Sequence, residues 1–242
     1  MPKEKKGIEN CIIGHKGFIG SALAKKVGEY TTTPTKDTKT IFYMASVTHP
    51  EFESNFDYHL SKVVSDFLYL LPFCRDNNIK FIYPSSALVY EKDTPFVKSK
   101  RVLETMASCY PKTLGLRMFP VYGPGETRTA ISQWCHDIMK GVKPIVYGDG
   151  TQKRDFIYID DVVDNIIHMA TKEYEGIKDL GAGKPVEFNQ ILDIIGKISR
   201  KEFNINYIPA PSGYSEGIVC RNPVPTNVSI EDGIKNILNA IN

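Results

Sequence analysis

Four short stretches of the chain carry residue types that bind or transfer charge. "IIGHKGFIGSAL" holds Gly14, Gly17 and Gly20 in G-x-x-G-x-x-G spacing, between an apolar strand and a helix. Such a loop makes a tight turn, lets a backbone approach a pyrophosphate, and aims a helix N-terminus at the anion. A plain strand-to-helix turn is the alternative. "YPSSALVY" puts Ser86 at the end of a buried strand, the edge at which open α/β sheets bind ligands. Capping the turn that follows is its other use. "PFVKSKRVLETM" carries Lys100 on a helix that starts at Thr94 and Pro95, and read alone it is a solvated helix lysine. "VYGDGTQKRDF" carries Arg154. Its guanidinium suits bidentate phosphate binding, against the alternative of pairing with Asp155 or Asp160.

A glycine loop of this kind calls for an acid about 20 residues on, to hold a ribose. Counting from Gly14 reaches "TTTPTKD", where Asp37 is the nearest acid and threonines and Lys36 surround it. Such surroundings fit either NADP, with a threonine, Lys36 or Lys16 meeting a 2′-phosphate, or a degraded adenosine site. A solvated loop is the plain reading of each. His49 and His59 read as structural or solvent-facing. The five cysteines form no CxxC pair, so a disulfide framework or zinc site is not expected, and each reads as a small buried hydrophobe.

The elements that would position these residues alternate. "IENCIIG", "TIFYMAS", "IKFIYPSS" and "KTLGLRMF" are apolar strands, and "EYTTTPTKDTK" reads as a short strand plus loop. Helices are expected over "FIGSALAKKV", residues 57–74, 95–109, "RTAISQWCHDIMK", "DDVVDNIIHMATK" capped by Asp160, "FNQILDIIGKISRK", and a last one with Ser229 and Asp232 at capping-box spacing. "KPIVYGDG" and "FNINYIPA" add strands. Continuous apolar strands between amphipathic helices indicate a parallel sheet covered on both faces. The chain has 242 residues, 42% of them hydrophobic, and a net charge of +2, which is near neutral and gives no case for nucleic acid or a membrane surface. No apolar run is long enough to span a bilayer, and the basic start "MPKEKK" reads as a solvated tail. The odd, scattered cysteines point to a reducing, cytoplasmic compartment.

Taken together, the motifs resemble the extended short-chain dehydrogenase/reductase family, in its nucleotide-sugar epimerase/dehydratase branch. The match runs through "GHKGFIG", "IFYMAS", "PSSALVY", "PFVKSK", "LRMFPVYGPGE", "VYGDGTQKRDFIYIDDVV" and "DLGAGKPV". The resemblance implies a Rossmann-type α/β fold with a small C-terminal substrate lobe: the Rossmann part at about 7–121 and 155–180, the lobe at about 122–154 and 181–242. It implies NAD as cofactor, a UDP- or dTDP-sugar as substrate, transient oxidation of a sugar hydroxyl, and a homodimer. Gly14, Gly17, Phe18, Ile19, Gly20, Ala45 and Lys100 would hold the cofactor. Ser86 would hydrogen-bond the reacting oxygen, Tyr147 would pack near the base, and Arg154, with Arg221 as a second arginine, would meet the diphosphate.

The sequence also departs from the family. The catalytic tyrosine falls on Phe96, which keeps a ring but cannot exchange a proton. The Asp-Glu pair of the dehydratases falls on Ala87 and Leu88, which leaves an epimerase-like site. A common asparagine is Pro120, which offers neither an amide nor a backbone N–H. The segments between the first helix and "TIFYMAS", and before the last helix, are short. Two readings result: an epimerase-like enzyme, with Tyr90 or a water offsetting the lost phenol, or an impaired pseudoenzyme that keeps ligand binding, as a partner of an active homologue.

Overall fold

The computed structural model describes residues 7–46, 54–211, 214 and 217–241. The strands are β1 (Asn10–Ile13), β2 (Thr40–Tyr43), β3 (Lys80–Ser86), β4 (Thr113–Met118), β5 (Val121–Tyr122), β6 (Ile145–Tyr147), β7 (Lys153–Asp155), β8 (Ile157–Tyr158), β9 (Gly176–Leu180), β10 (Pro185–Glu187) and β11 (Asn206–Ile208). The helices are α1 (Phe18–Val27), α2 (Phe56–Asp76), α3 (Pro95–Ser108), α4 (Ala130–Met139), α5 (Ile159–Thr171), α6 (Phe188–Ser199) and α7 (Ile230–Ile241). They divide between two compact units, Met1–Met118 with Val163–Lys178, and Phe119–Val162 with Asp179–Asn242.

The first unit is built on the sheet β1-β2-β3-β4-β9, whose first four strands run parallel. Side chains alternate across it. Ile41, Tyr43, Phe81 and Tyr83 join Val63, Phe67, Leu70 and Leu71 of α2 and Leu103 of α3 in one cluster. Ile12, Phe42 and Ile82 point the other way and are buried as well. A sheet buried on both faces needs such unbroken apolar strands, which is why they read so plainly in the sequence. Phe67 anchors the cluster, with edge-on contacts to Tyr43, Phe81 and Tyr83 at 5.2–5.5 Å. The fold is the Rossmann-type α/β fold expected.

Four sequence expectations need correction. The stretch after α1 makes one isolated bridge, Cys11 to Thr31, and no strand, because its threonines, proline and lysines offer no apolar face to bury. Asp160 does not cap α5. It lies in that helix's first turn beside Asp161, whose carboxylate accepts from the Asn227 and Val228 backbone N–H groups. Cys109 is exposed, because it caps the C-terminal end of α3, whereas the other four cysteines are buried. Lys100 is not solvated, as described below. His49 lies outside the described residues, and His59 is half-buried against Tyr58.

The second unit contains three two-stranded pairs: β5 with β8 and β6 with β11, both parallel, and β7 with β10, antiparallel. Strands this short do not advertise themselves by alternation, and β5, β7, β8 and β10 have no counterpart in the sequence reading. Asp155 ties this unit together. Its carboxylate is fully buried and accepts from the backbone N–H groups of Gly183 (2.9 Å), Lys184 (3.4 Å) and Cys220 (2.9 Å). Asp155→Ala leaves these donors without their charged acceptor. Since hydrogen bonds to charged groups contribute about 1.5–3 kcal/mol each and the 3.4 Å contact is a weak one, the two bonds at 2.9 Å put the expected loss on the order of 3–6 kcal/mol. Denaturant titration reads it, and a loss under about 1 kcal/mol would sink this assignment.

Candidate cofactor and nucleotide site

The first unit gathers the glycine loop and Lys100 at the C-terminal ends of its strands. Gly14 has φ +89°, and a Cβ there would stand 2.5 Å from the Met44 carbonyl carbon and the Ala45 nitrogen. The loop is thus pressed onto the chain leaving β2. A Cβ on Gly20 would lie well inside the Gly14 carbonyl oxygen, so the first turn of α1 touches the loop it springs from. Gly17 sits at the N-cap with no side-chain cap, and no acid occupies the first turn. The N–H groups there are left for an anion, and the helix dipole favours one. Phe18 and Ile19 open the helix.

Asp37 is half-buried, and its backbone N–H donates to the Thr35 hydroxyl. From the same segment it is Tyr30 that reaches the loop, its ring 5.8 Å from that of His15. The sequence reading missed Tyr30, because an acid was the feature sought.

Lys100 is 3% exposed. The helix that carries it is fixed at its start by the Thr94 hydroxyl, which accepts from the Val97 N–H at 3.4 Å, and by Pro95. Phe96, Val97, Lys100, Leu103 and Ala107 form its buried stripe, at the three- and four-residue spacing of one helix face. The Lys100 ammonium donates to the Ser46 hydroxyl at 2.5 Å and lies 5.1 Å from the centre of the Phe96 ring. Burial pushes its pKa down to about 8, against a smaller opposing pull from Glu104.

Between about pH 8 and the ordinary lysine value of 10.5, the unfolded chain holds a proton that the folded chain has released. The stability of the native protein therefore rises with pH through that window, and the full cost is present below pH 8. That cost is on the order of 3 kcal/mol at 1.36 kcal/mol per pH unit. Lys100→Met should be the more stable protein at pH 7, with the difference shrinking from pH 8 to 10.5 in thermal or urea melts. A difference that is flat across that range would contradict the assignment.

Behind Lys100 stands a network not foreseen from sequence. Glu104, one turn on, accepts from the Ser85 hydroxyl at 2.5 Å and from Arg117 Nε and Nη2 at 3.0 and 2.8 Å. This bidentate pair pins α3 to β3 and β4. Arg117 Nη1 donates to the Tyr90 hydroxyl at 2.9 Å. The four-residue step from Lys100 to Glu104 was the available signal. Ser86 ends β3, and its hydroxyl accepts from the Leu88 N–H at 3.2 Å, capping the 3-10 turn Ala87–Tyr90. Phe96 is 6% exposed and packs with Val89, Val97, Leu88, Phe56 and Leu60.

The second unit holds Tyr147, Arg154 and Arg221. Tyr147, at the end of β6, is 42% exposed and lines a cavity of about 540 Å³ with Trp134, Gln133 and Lys140. Arg154, on β7, donates from Nη1 to the Lys153 carbonyl at 2.9 Å, and its guanidinium lies over the Phe188 and Tyr214 rings. Arg221 is exposed on a bend between Cys220 and Asn222.

A glycine loop turned tightly into an uncapped helix, with a buried lysine at the ends of a parallel sheet, is the arrangement of a Rossmann-type α/β protein. Within that class the chain belongs to the NAD dependent epimerase/dehydratase family, which residues 31–181 match. It is 31% identical over 192 residues to an uncharacterized protein of Methanocaldococcus jannaschii, covering 66% of this chain and 58% of that one. It is 34% identical over 163 residues to the UDP-glucuronate 4-epimerase of Thermodesulfobacterium geofontis, covering 60% and 50%. The chain therefore spans little more than half the length of these relatives. Its fold is also that of the UDP-N-acetylglucosamine 4-epimerase from Methanobrevibacter ruminantium in complex with UDP-N-acetylmuramic acid. That match has a TM-score of 0.86 at 20% identity, covering 98% of both chains. Among the described residues no helix is long and apolar enough to cross a membrane.

Proposed function

We propose that the chain binds NAD and a nucleoside diphosphate sugar and works as an epimerase-like oxidoreductase whose turnover is limited at Phe96. The observation that carries this reading is Lys100. A helix lysine that could have been solvated is buried and held on Ser46, next to the loop into which Gly14 fits. Burying that cation costs stability, and the fold carries the cost where an anionic or polyhydroxyl ligand would recover it.

The residues present fit the cofactor. Gly14, Gly17, Gly20, Phe18, Ile19 and Ala45 cradle a pyrophosphate against the α1 N-terminus, and Lys100 donates to ribose hydroxyls. NAD, when bound, supplies the acceptor for a hydride from the sugar carbon. Ser86, whose oxygen already accepts from Leu88, still has its own proton to give to the reacting sugar oxygen. In the second unit Tyr147 meets the base, while Arg154 and Arg221 meet the diphosphate. Ala87 and Leu88 offer no acid to expel water, which favours epimerisation over dehydration.

A second reading is a binding module without turnover. It is favoured by the way Phe96 and Leu88 pack into one apolar cluster, where the family has a phenol and its dehydratases a glutamate. The partner in the first reading is a second copy of the chain and in the second an active homologue, and Leu68, Tyr69 and Val102, exposed on α2 and α3, offer an apolar surface for it.

The test is to incubate the protein and NAD with a panel of UDP- and dTDP-sugars and follow the sugar by NMR. Slow appearance of an epimer supports the first reading, and binding without product supports the second. Neither binding nor product would defeat both.

A further inference from the structure

The surroundings of Arg154 are built with more care than one phosphate contact requires. Its guanidinium carbon stands 5.4 Å from the centre of the Phe188 ring and 5.3 Å from that of Tyr214, so two aromatic groups flank one cation. Phe188 is buried, its ring edge-on to Trp134 at 4.9 Å. Tyr214 comes from the segment after β11, far from Arg154 in sequence. Its ring also stands 5.5 Å from that of Tyr147. A Cβ on Gly217 would lie 2.7 Å from Arg154 Nη1, and closer still to the Lys153 carbonyl, so Gly217 is seated directly on the arginine.

We infer that Tyr214 is a positioning residue for Arg154: with Phe188 it clamps the guanidinium between two rings, so that the N–H edge is presented to the diphosphate of a bound nucleotide. The inference rests on the reading that Arg154 meets that diphosphate. The physical reason is that a guanidinium on a three-carbon stem loses rotamer freedom when it binds an anion, and a clamp imposes that loss beforehand. Ring faces suit this purpose, because they attract the cation without taking any of its N–H donors. Tyr214 also closes a chain of contact from Tyr147 to Arg154. One side chain thereby links the residue read as meeting the base to the residue read as meeting the phosphates.

A double-mutant cycle tests it, with UDP as probe and dTDP and GDP in parallel, measured by calorimetry on the whole chain. Tyr214→Ala is expected to weaken UDP binding by between about twofold and thirtyfold, the range of a cation–π contact. Tyr214→Phe should stay within about twofold of the native protein. In the Arg154→Ala background, Tyr214→Ala should change nothing further, because its effect passes through the arginine. Tyr214→Leu, which keeps bulk without a ring, guards against a simple packing effect and should match Tyr214→Ala. Native-like affinity or tighter binding in Tyr214→Ala would overturn the inference, as would losses that multiply in the double variant. If the native protein binds none of the three nucleotides, the functional reading itself fails. If it binds and the cycle is additive, only the clamp fails.

Discussion

Phe96→Tyr is expected to raise the rate of sugar epimerisation by about 10²–10⁴-fold, the usual contribution of a positioned acid–base group. The site around Phe96 is already prepared for a phenol. Its ring lies on the buried face of α3, one turn before Lys100, with the Lys100 ammonium 5.1 Å from its centre. A cation at that range stabilises a phenolate and lowers the pKa of a phenol introduced there. The Glu104–Arg117 pair holds the helix in place whether or not the phenol is present. The substitution adds one oxygen to a ring that is 6% exposed, so the structural cost is small if the oxygen reaches solvent or substrate. The comparison needs native and substituted protein under the same saturating NAD and UDP-sugar, with the pH dependence recorded. An unchanged rate while cofactor still binds would mean that the missing oxygen is not what limits this protein.

The second large effect is expected at the glycine loop, and it separates two glycines. Gly20→Ala places a methyl group inside contact distance of the Gly14 carbonyl carbon (2.8 Å) and close to His15 Cα (3.1 Å). These are backbone atoms and cannot swing aside. α1 must lift from the loop, at about 1–3 kcal/mol of overpacking or more. Both the melting temperature and the NAD affinity should fall, the latter by at least about tenfold. Gly17→Ala meets nothing closer than the Gly14 oxygen at 3.4 Å, and its φ of −72° suits any residue. It should leave the melting temperature nearly unchanged and weaken NAD alone, because its Cβ would meet a pyrophosphate bound at the loop. Thermal melts and NAD titrations of both variants check the pair. Equal behaviour of the two would contradict the geometry described.

The fold was legible because the first unit is a sheet buried on both faces. "TIFY" and "IKFIY" had to be continuously apolar, and they read as strands for that reason. The site was legible only in part. Gly14 and Gly20 announce themselves by type and spacing, and Thr94–Pro95 announces the helix that carries Lys100. The burial of Lys100 was not legible, because it depends on Ser46 and on a helix face that also includes Phe96 and Leu103. The surroundings of Arg154 were hidden for a different reason. Phe188 opens a helix and reads as core, while Tyr214 sits in a segment without periodicity. Tyr30 was overlooked because the stretch after α1 is short and polar, and pairs with β1 at Thr31 alone.

The central claim is that this chain binds a dinucleotide and a nucleotide sugar together. Calorimetric titration of the native protein with NAD, then with UDP-glucose in the presence of saturating NAD, tests it most directly. Two saturable events are predicted, with the NAD event weakened in Gly20→Ala and the sugar-nucleotide event weakened in Arg154→Ala. Heats of dilution alone for both ligands, and for dTDP- and GDP-sugars in the same format, would contradict it.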